Sequence, residues 1–238
     1  MRSVKAIFKK QLKDTIKNMA TLVQFIIFPA VAFAITVVMD TDTIPEEMLA
    51  AMPNMVTMMA TVFAGMALVT ISAGIIAEDK ERKSLRFLIM AGVKPFAYLI
   101  GVGGVIAFVS IFTSVAFALI GRFSGIDFLI FVAAIMSGVI ASILLGATVG
   151  ILTRNQQAAT ALAMPIAMVL GFGPMMSMFN DTIARVLHIF YTQQLNVVVD
   201  YLAGADTILW QSFAIIWANV AVLSILFVIV YKKKGLKG

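Results

Sequence analysis

Residues Phe128 to Thr153 read FLIFVAAIMSGVIASILLGATVGILT, a run without one charged side chain. At about 1.5 Å of rise per residue it is long enough to cross a hydrocarbon core roughly 30 Å thick as a helix. Five other charge-free runs are of similar length: Asn18–Met39, Met52–Ala77, Pro95–Gly121, Asn155–Asn180 and Thr207–Tyr231. The 238 residues are 61% hydrophobic and 13% charged, against about 45–50% and about 25% for a soluble domain. A soluble fold of this size could not hide that much apolar side chain. The expected fold is an all-α integral membrane protein with six transmembrane helices, one membrane domain over residues 1–238. Only Arg154 separates the fourth and fifth runs, so Arg154-Asn155-Gln156-Gln157 must form a tight polar turn.

Charge sets the orientation. With both termini on one side, residues 1–17, 78–94, Arg154 and 232–238 carry 16 of the 18 Lys and Arg residues. The other side keeps Arg122 and Arg185 beside eight acids: Asp40, Asp42, Glu46, Glu47, Asp127, Asp181, Asp200 and Asp206. The positive-inside rule then places both termini in the cytoplasm of a multi-pass protein of a prokaryotic cell membrane. The basic excess of +6 faces anionic membrane lipids and gives no indication of nucleic acid. The Met1 end does not read as a cleaved signal peptide, because no small-residue cleavage site follows the first apolar run.

Several chemistries are excluded by what the chain lacks. There is no cysteine, so thiolate metal sites are excluded, and with one histidine, His188, a histidine-based metal centre is hard to build. No P-loop, zinc-protease helix or nucleophile elbow occurs. No ionisable residue lies inside the six runs, which argues against a carrier driven by a titrating carboxylate. The expectation is no catalytic residue, no metal and no cofactor in this chain. Active transport would need another subunit to supply the energy.

Lys5, Lys9, Lys13 and Lys17 recur every fourth residue, opposite Val4, Ile7, Phe8, Leu12 and Ile16. This spacing predicts an amphipathic helix over 1–17 in the interface plane, its lysines anchoring to lipid phosphates and its apolar side in the acyl boundary. Residues 40–51, broken by Pro45 and Pro53, read as a loop and a helix start. Residues 181–206 predict one or two short helices dipping into the outer leaflet, with Asp181 as cap and Ile183, Val186, Leu187 and Phe190 on one face. A second stretch, Leu195–Leu202, ends at Gly204. Ala134, Gly138, Ser142, Gly146 and Gly150 form a small-residue stripe, a helix–helix contact either between subunits or within the chain. Met164-Pro165 and Gly171-Phe172-Gly173-Pro174 should kink or break the fifth span.

Residues 77–101 are richer than a connecting loop requires. Charges at 78–83 give way to Leu85, Leu88 and Ile89 at helical spacing, Gly92 ends that helix, and Pro95 starts the next span. The residues alone are compatible with a docking helix or with a solvated basic loop carrying lipid-anchoring Lys80, Arg82, Lys83 and Arg86. Here the sequence resembles the permease subunits of type-2 ABC exporters, whose first cytoplasmic loop runs Glu-(Lys/Arg)-Glu-x-Gly-Thr-Leu-x-x-Leu, then proline, then Gly-Lys. Glu78, Glu81, Ser84, Leu85, Leu88, Pro95 and Gly101 match in order. Lys83 stands in place of the glycine, Ser84 in place of threonine and Val102 in place of the lysine.

The resemblance implies a coupling helix over 78–94 seated in a groove of a separate ABC ATP-binding subunit, with Glu81, Ser84, Leu85, Leu88 and Met90 as contacts. It also implies ATP and Mg held by that partner, and a second permease copy or homologous permease completing the pathway. The function so implied is an ATP-driven exporter subunit. Its neutral span residues, such as Gln24, Thr57, Ser72, Ser142 and Asn219, favour amphipathic or hydrophobic cargo: a lipid, peptide antibiotic or drug. An ATP-independent channel or carrier remains open, as do a structural anchor and a lipid-processing enzyme using His188 with Asp181 or Asp200.

Overall fold

The computed structural model describes residues 2–39, 52–90, 92–202 and 209–234. The acidic segment 40–51, residues 203–208 and the basic tail 235–238 lie outside the described residues, as do the side chains of Leu85, Arg86 and Ile89. The elements are α1 (Arg2–Lys17), α2 (Met19–Met39), α3 (Met52–Val62), a π-helical turn (Phe63–Ala67), α4 (Leu68–Glu81), α5 (Ser84–Met90), α6 (Pro95–Ile120), α7 (Gly125–Leu152), α8 (Gln156–Ser177), α9 (Asp181–Leu187), α10 (Tyr191–Leu202) and α11 (Leu209–Lys234). Among the described residues six helices are long and apolar enough to cross a membrane, and no strand occurs.

The span formed by α3, the π turn and α4 is central, packed against α7 and α8. The small-residue stripe makes this possible, and it is packed inside the chain. A Cβ on Gly150 would lie 2.6 Å from Ala73 O and 3.0 Å from Ile76 Cβ. A Cβ on Gly146 would collide with Ser72 and Val69, and one on Gly138 would lie 2.6 Å from Leu195. Lipid is as apolar as a leucine side chain, so close backbone approach of this kind is what holds membrane helices together. On the other side Phe25, Phe28 and Phe117 ring the fully buried Phe63 at 5.8–6.0 Å.

The π turn is held by a hydroxyl cluster. Ser142 Oγ donates to Ala64 O at 2.6 Å and lies 2.8 Å from the Tyr191 hydroxyl. Ser72 Oγ is 2.6 Å from Leu68 O. A π turn leaves backbone carbonyls off the regular ladder, and inside a membrane they must find partners. Burial pushes the Tyr191 phenol above its ordinary range, so it stays protonated and can donate to Ser142.

Four expectations are corrected. The cap of α9 is Asn180, whose side chain accepts from Thr182 N at 2.9 Å and Ile183 N at 3.3 Å; Asp181 occupies the first turn, where its charge favours the helix N-terminus. Helix α10 starts at Tyr191 and is buried along most of its length, with Gln193, Gln194 and Asn196 inside. Of the expected kink or break in α8, the break does not occur: the helix is continuous through Pro165 and Pro174, because each proline removes only one backbone bond in a packed helix. The face α1 turns inward is Ile7, Gln11 and Thr15. It packs on α6, where a Cβ on Gly101 would sit 2.6 Å from Ile7, while Ile16 is 57% exposed. The tight turn after α7 forms as expected, with Asn155 capping α8 by accepting from Ala158 N at 2.8 Å.

Candidate functional site

Four consecutive charges close α4, and successive helical residues point about 100° apart. They therefore reach different elements. Asp79, 7% exposed, accepts from Lys10 Nζ of α1 at 3.1 Å and from the Tyr98 hydroxyl of α6 at 2.9 Å. Lys80 Nζ donates to Ile151 O and Thr153 O, both at 2.9 Å, two of the orphan carbonyls at the end of α7. Glu81 Oε2 accepts from Gln156 N at 3.1 Å, the first amide of α8. Glu78 pairs with Arg82 at 2.7 Å, one turn on. One turn of helix thus ties α1, α6, α7 and α8 to the end of the central span.

The corner beyond it is strained. Lys83 has φ +59°, a left-handed conformation that costs a non-glycine residue roughly 1–2 kcal/mol. Helix α5 follows, with Phe87 N bonded to Lys83 O at 3.1 Å. It ends at Gly92, φ +78°, with Val93 N bonded to Leu88 O at 3.0 Å, the wrap that a left-handed glycine permits. Leu88 packs against the core, whereas Phe87 and Met90 are 78% and 75% exposed.

Beside the corner a groove of about 500 Å³ runs between α2, α4 and α8, lined by Gln24, Phe28, Thr70, Gly74, Gln156 and Thr160. Its lining is neutral except for Glu78 at the charged end. Gln24 Oε1 is buried without a partner among the described residues. Near α1 the groove shares Asn18, Thr21, Ile75 and Glu78 with a cavity of about 240 Å³ that Lys10, Asp14, Lys17 and Arg82 also line. Groove and cavity adjoin at these four residues.

A family model described as ABC-2 family transporter protein matches residues 4–230. The chain belongs to this family. No curated protein matches it. An ABC-2 permease is the membrane component of a transporter and is not itself an enzyme.

The ABC-2 assignment gives meaning to the corner. Lys83 stands where the resembling loop pattern would have glycine, and its positive φ is a backbone region that glycine enters more readily than lysine. Of the expected coupling contacts, Met90 faces outward, Ser84 is partly buried, Leu88 turns toward the bundle, and Glu81 is exposed but spends a carboxylate oxygen on α8. Phe87 was missed. Helical periodicity could have found it, because Phe87 and Met90, three apart, lie off the Leu85–Leu88 stripe. Asp79 was also missed, since a charge in a basic loop gives no sign of burial. Lys5, Lys9, Lys13 and Lys17 are all exposed along α1. Gly138, Ser142, Gly146 and Gly150 belong to the intrachain contact. His188 is exposed, and its backbone oxygen accepts from Gln194 Nε2 at 2.5 Å.

Proposed function

We propose that this chain is the transmembrane subunit of an ATP-driven exporter and docks a separate ATP-binding subunit through α5. The carrying observation is the corner itself. Helix α5 presents Phe87 and Met90 outward, and the turn before it is bonded to four other elements. A push on α5 reaches the central span first, and through Asp79, Lys80 and Glu81 it reaches α1, α6, α7 and α8. Such rigid-element coupling is how a local displacement becomes a change in a pathway. ATP and Mg belong to the partner. A second permease completes the pathway, as the resemblance to type-2 ABC exporters implies. Its neutral, mixed polar and apolar lining suits an amphipathic or hydrophobic cargo leaving the cytoplasm, where both termini lie.

The test is co-expression with the ABC ATP-binding subunits of the source organism, purification in mild detergent and assay of ATP hydrolysis. A stable complex is expected, lost when Phe87→Asp and Met90→Asp are combined while the chain still elutes as a folded species. A chain that purifies alone and passes solute through liposomes would put the ATP-independent carrier first.

A further inference from the structure

A second cleft, of about 300 Å³, lies away from the groove, between α6, α7 and α11. Its floor is Ile140 and Leu144 of α7; its walls are Ile100, Gly104 and Ala107 of α6 and Ser224 of α11. It exists because α11 packs along α7 far more than against α6, and because the facing wall residues are small. From Phe96 to Ala107 it extends about 16 Å along α6, the hydrocarbon depth of one leaflet, about 15 Å. The Tyr98 and Tyr231 rings lie 6.3 Å apart at a tilt of 41°, so the last turn of α11 stands level with the first turn of α6. Three exposed lysines stand at that level: Lys94, the N-cap residue of α6, and Lys232 and Lys233 of α11.

We propose that this cleft holds one acyl chain of an anionic phospholipid from the basic-side leaflet, with the phosphate set against Lys94, Lys232 and Lys233. The apolar lining, the one-leaflet depth and the exposed lysines at the level of the shallow end match the two parts of such a molecule. Lysines near a membrane surface attract anionic lipid. The site is independent of the cargo groove and of any ATP-binding subunit. Its occupant would wedge α6 against α11 and fix the width of the bundle on that side.

The test uses the chain reconstituted in phosphatidylcholine vesicles, with Trp210→Phe, Trp217→Phe and a reporter introduced by Ile100→Trp. Phosphatidylglycerol with dibrominated chains should quench the reporter with an apparent affinity roughly fivefold or more above brominated phosphatidylcholine. Adding Lys94→Gln, Lys232→Gln and Lys233→Gln should erase that preference, and Ala107→Phe should reduce quenching by either lipid. Equal quenching by the two lipids, or a preference that survives the three Gln substitutions, would overturn the proposal. So would a reporter that neither lipid quenches, since protein rather than lipid would then cover the cleft.

Discussion

The span Leu209–Lys233 has a mean hydropathy of 2.7 and Val56–Glu81 only 2.0, yet the first is 17% buried inside the protein over its most apolar window and the second 83%. In water hydrophobicity would drive the more apolar span inside. In a bilayer it cannot, because lipid and protein interior are equally apolar. What separates the two is side-chain size and hydroxyl content. The central span carries Ala60, Ala64, Gly65, Ala67, Ser72, Ala73 and Gly74, which admit neighbouring backbones. A Cβ on Gly65 would lie 2.8 Å from the Leu170 backbone. Helix α11 instead turns Trp210, Trp217, Val222, Ile225 and Ile229 outward. Burial here is decided by how closely backbones approach.

The largest expected effect tests that contrast directly. Gly146→Leu pushes a side chain into the backbone of α4 and should cost about 3 kcal/mol or more, whereas Ala218→Leu on the exposed side of α11 should stay within about 0.5 kcal/mol. Size-exclusion thermostability of the two variants in detergent measures both. Equal losses would mean that α11 is as tightly covered as α4. Next come the helix ends. Asp79→Ala leaves the buried Tyr98 hydroxyl without its acceptor and should cost about 2–3 kcal/mol, while Lys232→Ala at the end of α11 should be close to neutral. A harmless Asp79→Ala would show that the corner is not fixed through this carboxylate.

The smallest effect has the opposite sign. Lys83→Gly relieves a left-handed residue at the corner and, after the entropy lost to glycine, should gain about 0.5–1 kcal/mol. The same thermal assay reads it. A loss instead would mean that the Lys83 side chain makes a contact outweighing its backbone strain.

Much of the corner was legible in residues 77–101. Gly92 announced the end of α5 and Pro95 the start of α6, because both act through their own backbone torsions. The destinations of Glu78, Asp79, Lys80 and Glu81 were not legible. Four adjacent charges read as a solvated run until α1, α6, α7 and α8 are placed around them. The short helices before α11 fell between these cases. Their existence followed from length and apolar content, but choosing Asn180 over Asp181 as cap depends on where the chain leaves α8.

Composition and pattern alone determined the number of spans and the separation of basic from acidic segments, because helix length and net charge are local properties. The tertiary structure decided which span stands at the centre, that Gly146 and Gly150 meet α4 within the same chain, that Ser142 holds the π turn, and that Phe87 and Met90 face outward. Each of these depends on which residues distant in the chain meet in space, and an apolar run carries no mark of whether lipid or another helix lies against it.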